Sequence, residues 1–376
     1  MATLDKVRVG IIGMGRISSL NMLGYLRHPD AEIVAICDKK AHNAKKRLKQ
    51  MEADEGWQFH GEIYTDYHEM LKNEDVNTVE VLTPHSAHEQ IVLDACEAGK
   101  HISVQKPFAT TIASCNSMID AAKSAGVHLR VFENFRWHEP YMLAKEMVDR
   151  GEIGNDIVSL REKMYSSPEA RGGWDVDPNA WLWRSDPKEN PGGCLQFFDD
   201  GQHKLSIMRW FLGEIESVYA LLQWGPIRGG ILNYDRQGAV IFQPKNQAGH
   251  GIYEVTYSEN LPIPSKYYAC DEVVEITGPS GVIFCNGCTG HIFPELPPLA
   301  LYTTEGFTKF SDMRTDWQYS FENCGKHFID FLLGKTTSEL SLTPEEGREL
   351  LRLALAVVKS FQEKRVVMLD EIGDDA

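Results

Sequence analysis

The order of apolar and polar positions splits the chain into two halves of different rhythm. In the first half, short β-branched runs at 6–12, 32–37, 78–82, 101–104 and 127–132 alternate with helical stretches at 16–27, 88–97 and 112–126. Near-continuous apolar strands separated by helices predict a parallel sheet covered on both faces. This half therefore reads as a doubly wound α/β domain of six strands, five of them marked by these runs, residues 1–134.

After Phe135 the rhythm changes. A helix at 141–150 precedes amphipathic strands at 157–165, 215–223, 238–242, 251–257, 272–277 and 282–284, a series that predicts a large, mostly antiparallel sheet. Helices at 317–333 and 343–363 and a strand at 366–369 follow, and the acidic tail 370–376 reads as frayed. The second domain is thus expected to be α+β and to span 135–376.

Composition narrows the partners. The chain has 376 residues, 43% hydrophobic, with 38 Lys and Arg against 54 Asp and Glu, for a formal charge of -16. That balance opposes attraction to phosphate backbones or anionic bilayers, so neither nucleic acid nor membrane is an expected partner. The first six residues run into an apolar strand without a basic, apolar leader, which suggests a cytoplasmic protein. Eight cysteines in so long a chain do not form a disulfide framework. Cys285-Asn-Gly-Cys288, with His291 and Cys270 nearby, reads as cysteines facing each other across an Asn-Gly hairpin turn, and no metal is expected.

Chemistry enters at the ends of the strands. The strand 6–12 runs into Gly13-Met-Gly15-Arg16-Ile17-Ser18 and then a helix. In that context the glycines allow a tight turn and close approach of a pyrophosphate to the helix N-terminus. Asp38 lies twenty residues after Ser18, where a carboxylate binds ribose hydroxyls; this favours NAD, while Lys39 and Lys40 keep NADP open. The strand 101–104 delivers Gln105-Lys106-Pro107. Ligands bind beyond the carboxyl ends of parallel strands, so Lys106 should point towards the nicotinamide end of a dinucleotide.

In the second half, Pro191 to Trp210 holds a Gly pair, then Asp199 and His203 four apart, which places both on one face of a helix. Alone, such a pair is met more often as surface or structural polarity than as a site. The insert 171–184 holds Trp174, Trp181 and Trp183, whose indole faces suit the C–H face of a sugar ring.

In chain order, Gly13-x-Gly15, Asp38, Thr83-Pro84 with His88, Gly99-Lys100-His101, Lys106-Pro107, Arg136-Trp137, Gly151-Glu-Ile-Gly154, Gly192-Gly193 and Asp199 with His203 resemble the glucose-fructose oxidoreductase, inositol dehydrogenase and rhizopine-catabolism (Gfo/Idh/MocA) family over nearly the whole chain. The chain departs from the family's usual Glu-Lys-Pro in carrying Gln105. The resemblance implies a Rossmann domain, then an α+β domain with one open sheet, helices on one face and subunit contact on the other, hence a homo-oligomer. It implies NAD contacts from Gly13, Gly15, Arg16, Ile17, Asp38, Thr83, Pro84, His88, Gln105, Lys106, Arg136, Trp183 and Arg184, and substrate contacts from Lys106, Tyr165, Trp174, Trp181, Asp199 and His203.

The expected reaction is oxidation of a secondary alcohol of a sugar, glycoside or cyclitol, with a glycoside oxidised at ring carbon 3 as the specific guess. Lys106, Asp199 and His203 are the expected catalytic residues. Two other outcomes stay open from the resemblance: a glycoside hydrolase with a transient oxidation step, and a dinucleotide-sensing regulatory protein.

Overall fold

The structure is a computed structural model of the chain and describes residues 3–168, 170–174, 178–227, 232–338 and 342–376. It divides into two compact units.

The first unit holds β1 (Val7–Ile12), α1 (Ser18–Leu26), β2 (Ala31–Cys37), α2 (Ala41–Glu55), β3 (Glu62–Tyr64), α3 (Tyr67–Leu71), β4 (Thr78–Val81), α4 (His88–Glu97), β5 (His101–Gln105), α5 (Ile112–Ala125) and β6 (Leu129–Phe132). The six strands pair in the order β3-β2-β1-β4-β5-β6, all parallel. β4 and β6 are buried throughout, as strands covered on both faces must be. Local signals set helix ends: the Thr111 hydroxyl accepts the Ser114 N–H at the start of α5, and Gly126, at φ 66°, closes it.

The expected second domain loses a piece to this unit. Residues 320–351 and 374–376 cluster with 1–134, leaving 135–319 and 352–373 as the second unit. The reason is a set of specific contacts made by α8 (Gln318–Leu332). Arg130 donates to the Cys324 carbonyl at 2.6 Å, Asn134 to the Ser320 hydroxyl at 2.8 Å, and Arg27 to Glu322 at 2.6 Å. α1 and α8 touch backbone to backbone, since a Cβ on Gly24 would lie 2.6 Å from the Gly325 Cα.

In the second unit, α6 (Glu139–Asp149), β7 (Ser159–Ser166), β8 (Ala170–Arg171), α7 (Gly201–Leu212), β9 (Ile215–Ile227), β10 (Leu232–Pro244), β11 (His250–Tyr257), β12 (Ile263–Pro264), β13 (Cys270–Gly278), β14 (Gly281–Asn286), β15 (Leu299–Thr303) and β16 (Gly306–Phe310) come in that order. α9 (Pro344–Glu363) and β17 (Val367–Met368) follow. The sheet order is β16-β15-β14-β13-β7-β11-β10-β9-β17, antiparallel except where β7 meets β11, and β8 pairs β12 separately. α7 lies on one face: a Cβ on Gly251 would lie 2.7 Å from Leu212 and 3.0 Å from Met208. Leu160, Glu162 and Met164 share that face. The alternate row across β9, β10, β11, β7 and β13 runs Tyr219, Ile241, Ile252, Arg161, Glu275.

Two local expectations change. The two-residue hairpin falls at Pro279-Ser280, joining β13 to β14, whereas Asn286-Gly287 opens a longer loop to β15. That loop is gathered by the buried Asp271 carboxylate, which accepts the Cys288, Gly290 and Ile292 N–H groups. The tail does not fray: Ile372 is buried and its carbonyl accepts from Arg352, while the Ala376 carbonyl accepts the Ile112 N–H. Among the described residues no helix is long and apolar enough to cross a membrane, and no cluster of His, Cys, Asp or Glu could hold a metal ion.

The Gly24–Gly325 crossing is testable. Gly24→Ala forces a methyl into backbone and should cost about 1–3 kcal/mol, as overpacking does. Thermal denaturation should show a lower midpoint; an unchanged midpoint would mean the two helices can part there freely.

Candidate active site

In the first unit, β1 ends at Gly13, whose N–H donates to the Cys37 carbonyl and whose φ is 102°. A side chain there would lie 2.5 Å from the Leu82 carbonyl, so glycine is required by the protein itself. Gly15 differs. A Cβ on it would meet no protein atom within 4 Å, so packing does not demand glycine, whereas close approach of a diphosphate does. Asp38 is held rigidly: its Oδ2 accepts Met14 N–H at 3.0 Å and its Oδ1 accepts Lys40 N–H at 2.8 Å and Asn43 Nδ2 at 3.1 Å. Beyond β4, the Thr83 Oγ1 is buried without a hydrogen-bond partner, a polar atom that a bound ligand group would satisfy. These residues fit a dinucleotide. Arg16 and Ile17 form the turn into α1, Pro84 is exposed, and Gln105, followed by Lys106, closes β5.

In the second unit, the segment carrying Asp199 and His203 is not one regular α-helix. Leu195–Asp200 is wound as a π-helix and α7 begins at Gly201, so the expected four-residue spacing spans a change of helical pitch. The buried Asp235, reaching from β10, caps this segment by accepting the Gln196 and Phe197 N–H groups, both at 2.8 Å. Burial pushes Asp235 up to about 8, against the lowering influence of those N–H groups. Asp199 is fully buried and pairs with the Arg184 guanidinium at 2.5 Å. His203 is 6% exposed and stacks on Phe135, with ring centroids 4.3 Å apart. The neighbouring Lys204 is buried between Asp200 at 2.7 Å and Glu272 at 3.4 Å. Burial works to lower its pKa, and the two carboxylates more than offset that, so it stands well above a free lysine.

The Trp insert forms a wall beside Asp199. Arg184 lies over the rings of Trp181 and Trp183, at 5.1 and 4.9 Å. Tyr268 is edge-on to both Trp174 and Trp181. Asn190, buried, donates to the Arg184 carbonyl and fixes the loop. Gly192 serves the protein's own packing, since a Cβ on it would lie 2.4 Å from Val358 of α9, whereas one on Gly193 would meet no protein atom within 4 Å.

The structure thus brings together Asp199, Arg184, Trp181 and Trp183 in one connected set, and seats His203 on Phe135 in the adjoining helix. Three further expected residues are placed as follows. Tyr165 lies on the sheet face opposite Glu162 and Met164, hence opposite α7, because strand side chains alternate. His88 is buried, with Nε2 at the Thr83 carbonyl and Nδ1 at the Pro107 carbonyl, each 3.1 Å away; it braces the turns that carry Thr83 and Lys106. Arg136 is buried against α7, donating to the Ser206 hydroxyl and carbonyl. Sequence reasoning missed Arg47, whose guanidinium donates to the Gly15 carbonyl at 3.1 Å, and Asp235 and Tyr268. None carries a motif signal; each is brought in by tertiary contact alone.

A parallel Rossmann sheet with a glycine turn and an anchored carboxylate at the end of β2, in a chain that continues into an open-sheet α+β unit with a buried acid and imidazole, is the make-up of a two-domain nicotinamide-dinucleotide oxidoreductase. Residues 7–133 match the family model described as GFO/IDH/MocA oxidoreductase family, NAD-binding Rossmann fold, and residues 141–283 match that of the GFO/IDH/MocA C-terminal domain. The chain belongs to this family. It is 25% identical to myo-inositol 2-dehydrogenase of Thermotoga maritima, over 97% of this chain and 99% of that protein. It is 29% identical to levoglucosan dehydrogenase of Pseudarthrobacter phenanthrenivorans, over 60% of this chain and 56% of that protein. An oxidoreductase from Agrobacterium radiobacter, solved with NAD+, L-tartaric acid and magnesium, has the same fold, with a TM-score of 0.76 at 21% identity over 98% of this chain and 100% of that one.

The Asp235 cap predicts a pH signature. Its folded pKa lies above the unfolded value, so its contribution to stability is present at acid pH and is lost as pH rises towards about 8. Asp235→Asn has no such titration. The difference in melting temperature between wild type and variant should therefore narrow from pH 5 to pH 8; a gap that stays constant would mean the N–H groups keep the carboxylate ionised throughout.

Proposed function

We propose that the protein oxidises a secondary alcohol of a cyclic polyol, sugar or glycoside, with NAD as acceptor. The observation that carries this reading is the buried Asp199, compensated by Arg184 at an aromatic wall, in the same helical segment as His203. NAD, when bound, supplies the hydride acceptor. Gly13, Gly15, Arg16, Ile17, Thr83 and Asp38 hold it, and the anchored Asp38 carboxylate favours a free ribose 2'-hydroxyl over a phosphate. His203 accepts the hydroxyl proton, and Lys106 donates a hydrogen bond to the developing alkoxide, where charge appears in the transition state. Asp199, held by Arg184, orients the substrate hydroxyls. Trp181 and Trp174 offer apolar faces to the ring, and the specific form we favour is a pyranoside oxidised at carbon 3.

The relatives named dehydrogenases of myo-inositol and levoglucosan support a neutral, polyhydroxylated ring as substrate. The open face of the nine-stranded sheet supports a homo-oligomer. Leu221, Ile241 and Tyr302 on it are exposed, and apolar area of that kind on a sheet favours contact with a second copy.

The test is incubation with NAD and a panel of inositols, free sugars, anhydrosugars and aryl glycosides, following NADH absorbance and released aglycone together. NADH without aglycone is expected; aglycone without NADH would overturn net oxidation in favour of hydrolysis. With an active substrate in hand, His203→Ala should lower kcat by about 10²–10⁴-fold, the usual worth of a general base, with NAD affinity nearly unchanged. Unaltered turnover would remove His203 from the reaction.

A further inference from the structure

Residue 105 is where the chain departs from the family's Glu-Lys-Pro, and the first unit holds the reason. Glu80 lies in the middle of β4, fully buried. Its Oε1 accepts Asn21 Nδ2 at 3.1 Å and its Oε2 accepts the Tyr25 hydroxyl at 2.7 Å. The Ser103 hydroxyl also bonds to Glu80 and accepts Arg130 Nε at 2.9 Å, which places a guanidinium beside the carboxylate. Burial raises the Glu80 pKa from the ordinary carboxylate value, against the lowering pull of Arg130 and of the Tyr25, Ser103 and Asn21 donors, and it is those donors that make Glu80 the acceptor end of the network.

The next links are oriented by that end. Asn21, having turned its amide nitrogen to Glu80, presents Oδ1 to Gln105, whose Nε2 donates at 3.3 Å. The Gln105 Oε1 in turn accepts the Lys106 backbone N–H at 2.9 Å. A glutamate at 105 would set a carboxylate oxygen against Asn21 Oδ1, acceptor to acceptor. Flipping Asn21 to relieve this would aim its Oδ1 at Glu80 instead.

We propose that Glu80, Asn21 and Gln105 are positioning residues for Lys106, and that the buried carboxylate at 80 fixes the direction of their hydrogen bonds so that residue 105 must be an amide. The proposal rests on Lys106 acting as assigned under the proposed function. It also implies an exchange: moving the carboxylate from 80 to 105 reverses both bonds of Asn21 and leaves both satisfied. The amide introduced at position 80 then donates to Asn21 Oδ1, and the flipped Asn21 donates to the carboxylate introduced at position 105.

The test is a cycle of wild type, Gln105→Glu, Glu80→Gln and the double variant, read by melting temperature and by kcat and KM in the NADH assay. Gln105→Glu alone should lower kcat roughly 10- to 100-fold, as misplacement of a catalytic group does, with KM for NAD little changed and a lowered melting temperature. In the Glu80→Gln background the same change should cost less than about threefold. Because Glu80→Gln leaves Arg130 without its carboxylate, a second background, Asn21→Ala, removes the opposing Oδ1, and there too Gln105→Glu should cost little. Equal costs in all backgrounds overturn the proposal. Coupled melting temperatures with kcat per folded enzyme unaltered also overturn it, since the network would then be structural only. Coupled melting temperatures in protein that forms no NADH from any substrate would uphold the hydrogen-bond chain and overturn the dehydrogenase reading instead.

Discussion

A carboxylate taken out of water must be surrounded by donors, and the architecture of this protein depends on meeting that requirement with backbone it needs to hold. Asp235 gathers the first N–H groups of the segment that carries Asp199. Asp271 gathers those of the loop between β14 and β15. Glu80 is met by side chains instead, and passes its orientation through Asn21 to the Lys106 turn. In each case the loop is ordered because leaving the acid unsatisfied would cost more than ordering it.

Much of the first unit is legible in the sequence because its signals are local. Gly13 and Gly15 after a β-branched run, Thr111 before a helix and Gly126 after it act through their own backbone, and the doubly wound parallel sheet follows from the strand-and-helix alternation. β3 escapes because three residues, two of them exposed, make no periodic pattern. α8 is legible as a helix but not as a part of the first unit. An amphipathic stripe says that a face is buried without saying against what, and the Gly24–Gly325 approach that settles the partner joins residues some 300 apart.

The site is legible in part for the same reason. The acid and the imidazole can be picked from spacing, and the Trp insert from its composition. The π-wound turn cannot, since a helix of either pitch shows the same apolar run. Tyr165 turns on parity: a one-residue shift along a strand exchanges faces, and its strand neighbours Glu162 and Met164 occupy the covered one. The protein partners of His88 and Arg136 are not legible, because a polar residue near a strand end looks alike in sequence whether it meets a ligand or a backbone carbonyl. Only burial and partners separate the two.

The Arg184–Asp199 pair also constrains the chemistry. Protonating a buried carboxylate that faces a guanidinium at 2.5 Å would leave the guanidinium uncompensated in a low-dielectric setting, so Asp199 is a poor resting place for the substrate's proton. The proposed reaction assigns the proton to His203 instead, which stacks on the Phe135 ring. The division of labour in the proposed reaction follows: the acid orients and the imidazole takes the proton. The same pair neutralises the Arg184 guanidinium at the Trp wall, which removes the attraction that an acidic sugar would need there. The site is thereby suited to a neutral ring, whose hydroxyls ask for hydrogen bonds rather than for charge.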